Sequence, residues 1–182
     1  MTAALTVDVP AGTWTIDPAH SSVGFSVRHL MGRVRGRFEE FSGQVTTAEQ
    51  ADGCTATATI AMASVNTGNP MRDDDLRSAN FFDVAQFPDM TFESTGLAGG
   101  DDQWELRGRL TIRGVTRDVV LAVEFLGLDE TGLMGEQRIG LSATTTILRS
   151  DYGVGATGLE GQKIVVGDKI TVQLDVQAAL GA

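Results

Sequence analysis

Apolar and polar residues alternate with a period of two through most of this chain, the signature of strands with one buried face. Trp14 and Ile16 open a first strand, which Asp17 and Pro18 end. Val23, Phe25 and Val27 form the next apolar row, with Ser22, Gly24, Ser26 and Arg28 on the opposite side. Val34, Gly36 and Phe38 alternate with Arg33, Arg35 and Arg37. Ala56, Ala58, Ile60 and Met62 alternate with Thr55, Thr57, Thr59 and Ala61. Later rows run through Met90 and Phe92; Trp104, Leu106, Leu110 and Ile112; Val119, Leu121, Val123 and Phe125; Ile139, Leu141 and Ile147; and Ile164, Val166, Ile170, Val172, Leu174 and Val176. Turn signals at Ala51 to Gly53, Gly99 to Asp102, Arg113 to Gly114 and Asp129 to Gly132 separate the rows. Strands joined by such turns pair as antiparallel hairpins. The pattern therefore predicts an all-β protein, an up-and-down barrel or a sandwich, of roughly eight strands.

One stretch, Asn69 to Pro88, breaks the alternation. Pro70 suits the first turn of a helix, and Asp73 to Asp75 are favoured there by the helix dipole. Met71 and Leu76 supply an apolar face. The expected helix runs from Met71 to Ala79, followed by an irregular segment carrying Phe81, Phe82 and Phe87. On a small barrel these become a plug or lid over one end. Residues 1–12 are expected to form a flexible arm and residues 13–182 a single barrel domain.

Composition narrows this picture. Glycine supplies 22 of 182 residues, about 12% against a usual 7% or so. That density excludes a long-helix protein, and the lack of a three-residue period excludes collagen. Gly36, Gly108 and Gly140 fall inside strands, where glycine relieves curvature or leaves room for a ligand. Ala56, Ala58 and Ala143 on inward rows also leave volume unfilled; a fully packed core is the alternative. The net charge of −10 makes nucleic acid or an anionic membrane a poor partner for the molecule as a whole. Cys54 is the only cysteine, so no internal disulfide forms. The first ten residues do not read as a signal peptide, and a cytoplasmic location is expected. The apolar run from Val119 to Leu128 is short and carries Glu124, so no membrane span is expected.

Candidate chemistry is sparse. His20 and His29 have opposite parity and do not converge on a metal; each reads as a turn-edge or capped histidine. Consecutive helical residues point about 100° apart, so Asp73, Asp74 and Asp75 cannot share an ion. Neither a nucleophile elbow nor a phosphate loop occurs, and Cys54 reads as a small buried side chain. No catalytic residue and no metal site is expected. Arg28, Arg33, Arg35 and Arg37 concentrate positive charge within ten residues. They read as a solvated face paired with Glu39 and Glu40, or as a site for a phosphate headgroup or an acidic partner.

Ordered blocks then carry a resemblance. Trp14-x-Ile16-Asp17 followed by His20-Ser21, then Val23-x-Phe25-x-Val27, resembles the opening of the YceI-like family of polyisoprenoid-binding proteins. Gly36-x-Phe38, Arg72-Asp73 to Leu76, Ser78 to Asp83, and Phe87-Pro88 with Thr91-Phe92 continue the match. Gly108-x-Leu110 to Thr116 and Arg149 to Gly153 complete it, so it spans Trp14 to about Val176. The resemblance implies a lipocalin-like antiparallel barrel, homodimeric and non-enzymatic, with no cofactor. Its cavity would carry or store a long isoprenoid chain, a polyprenyl phosphate or an isoprenoid quinone. The expected lining is Phe25, Val27, Phe38, Ile60, Met62, Phe81, Phe82, Phe92, Trp104, Leu106, Leu110, Leu121, Val123 and Leu141. Arg72, Arg77 and Arg149 are the candidates for a headgroup at the mouth. The rival readings are a stress-response interaction module with an incidental cavity, and an enzyme acting on an isoprenoid or quinone.

Overall fold

The computed structural model describes residues 4–155 and 166–181. In chain order its elements are β1 (Gly12–Ile16), β2 (Ser22–His29), β3 (Gly32–Phe38), β4 (Phe41–Thr47), β5 (Thr55–Ala61), β6 (Val65–Asn66), α1 (Pro70–Arg77), β7 (Asp89–Gly100), β8 (Gln103–Ile112), β9 (Val115–Asp129), β10 (Arg138–Leu148) and β11 (Val166–Leu180). These strands close into an eight-stranded antiparallel barrel. The count falls to eight because three staves are bent in two. β11 pairs with β1 at its C-terminal end and with β2 along the rest, so β1 and β2 are one bent strand. β3 and β4 pair with β2 and β1 in turn, and β6 and β5 continue the pattern on their far side. From β5 through β7, β8, β9, β10 and β11 each strand pairs with the next, and β1 on β11 closes the ring. Closure leaves few edges for another chain to pair with. The Ile164 position of the last predicted row lies outside the described residues.

One end of the barrel is a packed floor. Trp14 and Ala178 are fully buried there with Ile139, and Val9, Ile16, Val45, Phe125 and Leu180 pack around them. The Trp14 indole N–H donates to Thr47 Oγ1 at 2.8 Å, satisfying its one donor. The N-terminal segment expected to be a free arm is tied down in its described part. Ala4 bridges Gln50, the Leu5 N–H donates to the Glu49 carbonyl at 3.1 Å, and the Asp101 N–H donates to Thr6 Oγ1 at 2.6 Å.

The helix begins and ends on local chemistry. Asn69 accepts from the Arg72 N–H at 3.1 Å as N-cap, and Pro70 fills the first helical position. It stops at Arg77, two residues short of the expected end. Ser78 turns to extended backbone there, its hydroxyl donating to the Asp75 carbonyl at 2.6 Å. The three aspartates do not act together: Asp73 is buried and accepts from the Thr67 N–H at 3.0 Å, Asp74 pairs with Arg77 at 3.1 Å, and Asp75 is exposed.

Two strand glycines do something other than leave room for a ligand. A Cβ at Gly36 would strike the ring of Phe25, its cross-strand partner, and stand 2.9 Å from Thr67 Cγ2. A Cβ at Gly108 would strike the Phe92 ring. Each glycine is the seat of a phenylalanine from the next strand, so the vacated volume is filled by the barrel itself. Gly140 lies where the pairing of β9 and β10 shifts register, beside Gly127 at φ +148°, and there glycine does relieve curvature.

At the corner between β1 and β2, Asp17 caps the turn Pro18–His20. It accepts from Arg138 Nη1 at 2.8 Å and lies 2.7 Å from His20 Nδ1. The Arg138 guanidinium first, and His20 second, hold the Asp17 carboxyl down at about 2. Because the folded value lies below the unfolded 3.8, the stabilisation is complete above that pH and is lost as pH falls through 2. Asp17→Asn should therefore cost about 1–2 kcal/mol at neutral pH, discounted for partial solvent screening. Urea titrations should find that difference undiminished down to about pH 4 and gone near pH 2. A deficit that persisted at the acid end would show that ion pairing is not its source.

Candidate functional site

The inward rows do not meet in the middle of the barrel. They enclose an apolar cavity of about 270 Å³ that runs from Ile16, Val45 and Val176 above the floor to Val27, Val166 and Ile170 near the opposite end. Strand parity makes the wall continuous. Leu141, Ala143, Thr145 and Ile147 follow one another on β10, faced by Val172, Leu174 and Val176 of β11. Of the residues predicted to line it, Phe25, Val27, Phe38, Ile60, Met62, Phe81, Phe82, Phe92, Leu106, Leu110, Leu121, Val123 and Leu141 are all on the wall.

Trp104 is the exception. It sits on the inward row opposite Val123, yet its indole N–H donates to the Asp101 carbonyl at 2.9 Å. That bond turns the ring toward the β7–β8 turn, so Trp104 is buried without touching the cavity.

A lid forms at the place the sequence predicts, but Met71, expected on the apolar face of α1, is exposed to solvent. Leu76 from α1, with Phe81 and Phe82, covers the end opposite the floor. The Phe82 ring packs tilted against Phe38 with centroids 6.0 Å apart, and Phe38 packs tilted against Phe25 at 5.6 Å, linking the lid to the wall through aromatic contacts. Phe87 packs instead against the Arg113–Gly114 turn, where a Cβ on Gly114 would lie 2.8 Å from its ring.

The arginines offered for a headgroup hold the lid shut. Arg72 donates to the Thr67 hydroxyl and carbonyl at 2.7 and 2.8 Å. Arg77 donates to the Ala63 and Val65 carbonyls at 2.8 and 3.0 Å. Neither reaches the cavity, because backbone carbonyls freed where the chain leaves β5 and β6 take up their donors. Arg149 does reach the wall. Its donors go to the carbonyls of Gly167, Val154 and Val166 at 2.9, 3.0 and 3.2 Å, stitching the chain around its own turn to β11. Arg113, which the sequence reading passed over, fastens the lid from the far side by donating to the carbonyls of Ala79 and Gly153.

Tyr152, Val154 and Phe41 also line the cavity and were missed. They stand in turns or at a strand start, where no period-two signal exists. Among the described residues the buried Tyr152 hydroxyl has no hydrogen-bond partner, and burial together with the Asp151 charge pushes it up to about 12. Arg149 and Tyr152 are the only titratable side chains on the described wall. No group of three or more His, Cys, Asp or Glu able to hold a metal occurs among the described residues. Among the described residues no helix is long and apolar enough to cross a membrane.

The arginine row is unlike an ordinary paired surface. Among the described residues, only Arg37 of this row meets an acid, Glu39, at 3.0 Å. Arg33 donates to the Ser26 hydroxyl at 3.5 Å. Among the described residues the expected pairing with Glu40 is not formed.

Parity predicts a sharp contrast between neighbours on β2. Phe25→Asp places a carboxylate on the apolar wall and empties the seat at Gly36, and should cost about 3–5 kcal/mol or abolish folding. Ser26→Asp, across from Arg35, should stay within about 0.5 kcal/mol of the parent. Thermal melts of the two variants decide it, and equal losses would contradict the assignment of faces.

Residues 14–178 match the family model described as the YceI-like domain. The UPF0312 protein of Staphylococcus aureus strain N315 is 34% identical over 171 residues, covering 92% of this chain and 97% of the relative. BcnA of Burkholderia cenocepacia superposes with a TM-score of 0.80 at 26% identity, over 89% of this chain and 98% of that one. The YceI protein of Campylobacter jejuni gives 0.75 at 33% identity, over 91% and 96%. A polyisoprenoid-binding domain from Saccharophagus degradans gives 0.74 at 20% identity, over 94% and 100%, and shares the fold.

Proposed function

The chain belongs to the YceI-like family, and from that premise we propose that it binds a long isoprenoid chain inside the barrel and carries or stores it without chemical change. The observation that carries this reading is the continuous apolar wall of the cavity. A fold shared with a domain described as polyisoprenoid-binding supports it.

Burial supplies the affinity. An isoprene unit has five carbons, so at about 0.8 kcal/mol per buried carbon it contributes roughly 4 kcal/mol before ordering costs. Two or three units therefore outweigh the cost of association without directional contacts. A cavity of about 270 Å³ lies just below the roughly 300–1,000 Å³ range of ligand pockets. It holds a segment of a long chain, and the rest leaves by the mouth or displaces Phe81 and Phe82.

The wall also argues for binding rather than turnover. The Arg149 donors are directed at carbonyls, and the Tyr152 hydroxyl, at about 12, stays protonated at neutral pH. Neither is poised for proton transfer. Protein purified natively and extracted with organic solvent should release an isoprenoid detectable by mass spectrometry. Stripped protein should take up a polyprenol added in detergent. An extract without isoprenoid together with no uptake would overturn the proposal.

A further inference from the structure

The β2–β3 hairpin carries a feature that neither barrel closure nor ligand burial requires. Its turn is Leu30–Met31, between the paired residues His29 and Gly32. Leu30 has φ +52°, the left-handed conformation that glycine adopts freely and any residue with a Cβ resists. It is the only apolar non-glycine residue with positive φ among the described residues. At the β8–β9 turn the same position is held by the polar Arg113, at φ +51°, followed by Gly114 at φ +72°. At the β2–β3 turn a glycine-rich protein instead places two apolar side chains in solvent, Leu30 half exposed and Met31 fully so.

Cations surround this tip. Arg28 and Arg33 are direct cross-strand partners, and Arg35 follows on the same outward face. Like charges directly opposite destabilise a sheet, and none of the three has an acidic partner among the described residues. Lys169 is exposed in the bulge that β11 makes beside Arg28. The nearby carboxylate of Asp168 is taken up by the Ser150 N–H and hydroxyl at 2.9 and 2.6 Å. The inward face of the same hairpin, Phe25 and Val27, is cavity wall.

We propose that the β2–β3 hairpin tip docks on an anionic lipid surface, Leu30 and Met31 entering the interface while Arg28, Arg33 and Arg35 bind lipid phosphates. This rests on the isoprenoid-binding reading, since docking there brings the cavity end at Val27 to the layer in which such a ligand dissolves. Two apolar side chains are too small an anchor for a stable protein interface, which needs about 1,000 Å². Joined to a basic cluster they suit a lipid interface. The net charge of −10 does not forbid it, because at physiological salt charges beyond about 8 Å are screened and the local cluster dominates.

The test is co-sedimentation of the full chain with phosphatidylcholine vesicles, with and without phosphatidylglycerol. Binding should require the anionic lipid and weaken with salt. Arg33→Gln with Arg35→Gln should lower it by roughly thirtyfold. Leu30→Gly with Met31→Ser should also lower it severalfold while raising or preserving the melting temperature, because glycine relieves the backbone at Leu30. Parent and variants should contain equal isoprenoid. No binding of the parent to anionic vesicles, or equal binding by the variants, would overturn docking while leaving ligand binding intact. Salt-sensitive binding to poly-glutamate but not to vesicles would assign the surface to an acidic protein and also overturn it. Loss of isoprenoid from every protein, whatever the vesicles show, would instead overturn the function proposed above.

Discussion

Replacing Trp14 by alanine is expected to remove about 3–5 kcal/mol of stability, the usual cost of emptying a buried tryptophan site. The melting temperature of a chain this size should fall by roughly 6–20 °C. The residue is fully buried, and it closes the floor together with Ile139 and Ala178. Thr47 would lose the indole donor but keep its own bond to the Pro10 carbonyl at 2.6 Å. Collapse into the gap is restricted, because β1 is held on both sides, by β4 and by β11. Trp14→Phe keeps most of the ring volume and loses the hydrogen bond, so it should cost about 1–2 kcal/mol. A loss below about 1 kcal/mol for the alanine variant would mean that the floor is not what closes the barrel.

Filling the cavity should have the opposite signature. Ala143 lies on β10 between Val123 and Leu174, its cross-strand partners, and all three are on the wall. In a packed core Ala143→Phe would overpack and cost about 1–3 kcal/mol. In a hollow barrel the ring enters space that no atom occupies, gaining contacts, so stability should stay within about 1 kcal/mol of the parent. The same ring takes the volume proposed for the ligand, and polyprenol uptake should fall by at least about tenfold. Denaturant midpoints and uptake measured on one preparation separate the cases. A destabilised variant that still takes up ligand would show that the cavity at Ala143 is neither empty nor the binding site.

The wall of this cavity was legible in the sequence to an unusual degree, and the reason is geometric. On a strand the side chains alternate strictly, so once Phe25, Leu110 or Leu141 is assigned to the inward face its neighbours at ±2 follow. Alternation says nothing about residues outside strands, which is why Tyr152 and Val154 were missed. It also says nothing about where along the barrel a residue sits, which is why Trp104 was expected on the wall but is held at the β7–β8 turn by Asp101.

The arginines mark the same boundary between local and non-local information. Arg72 and Arg77 were reasonable candidates for a headgroup, being cations beside a lid. Their roles depended on carbonyls of Thr67, Ala63 and Val65 that lose their sheet partners only because the chain turns into α1. Gly36 and Gly108 are similar, since their purpose is set by rings on other strands. The sequence by itself determined which face of each strand is apolar, that the strands follow one another as hairpins, and that a helix and the aromatic segment after it cap one end, with Phe81 and Phe82 as the residues that do so. These depend on residues near one another in the chain, where spacing alone sets direction. Only the tertiary structure decided which gaps are filled by neighbouring rings and which remain a cavity. It also decided which cations bind backbone and which stand free on the β2–β3 hairpin, because hydrogen bonds and packing form between atoms that meet only when the barrel closes.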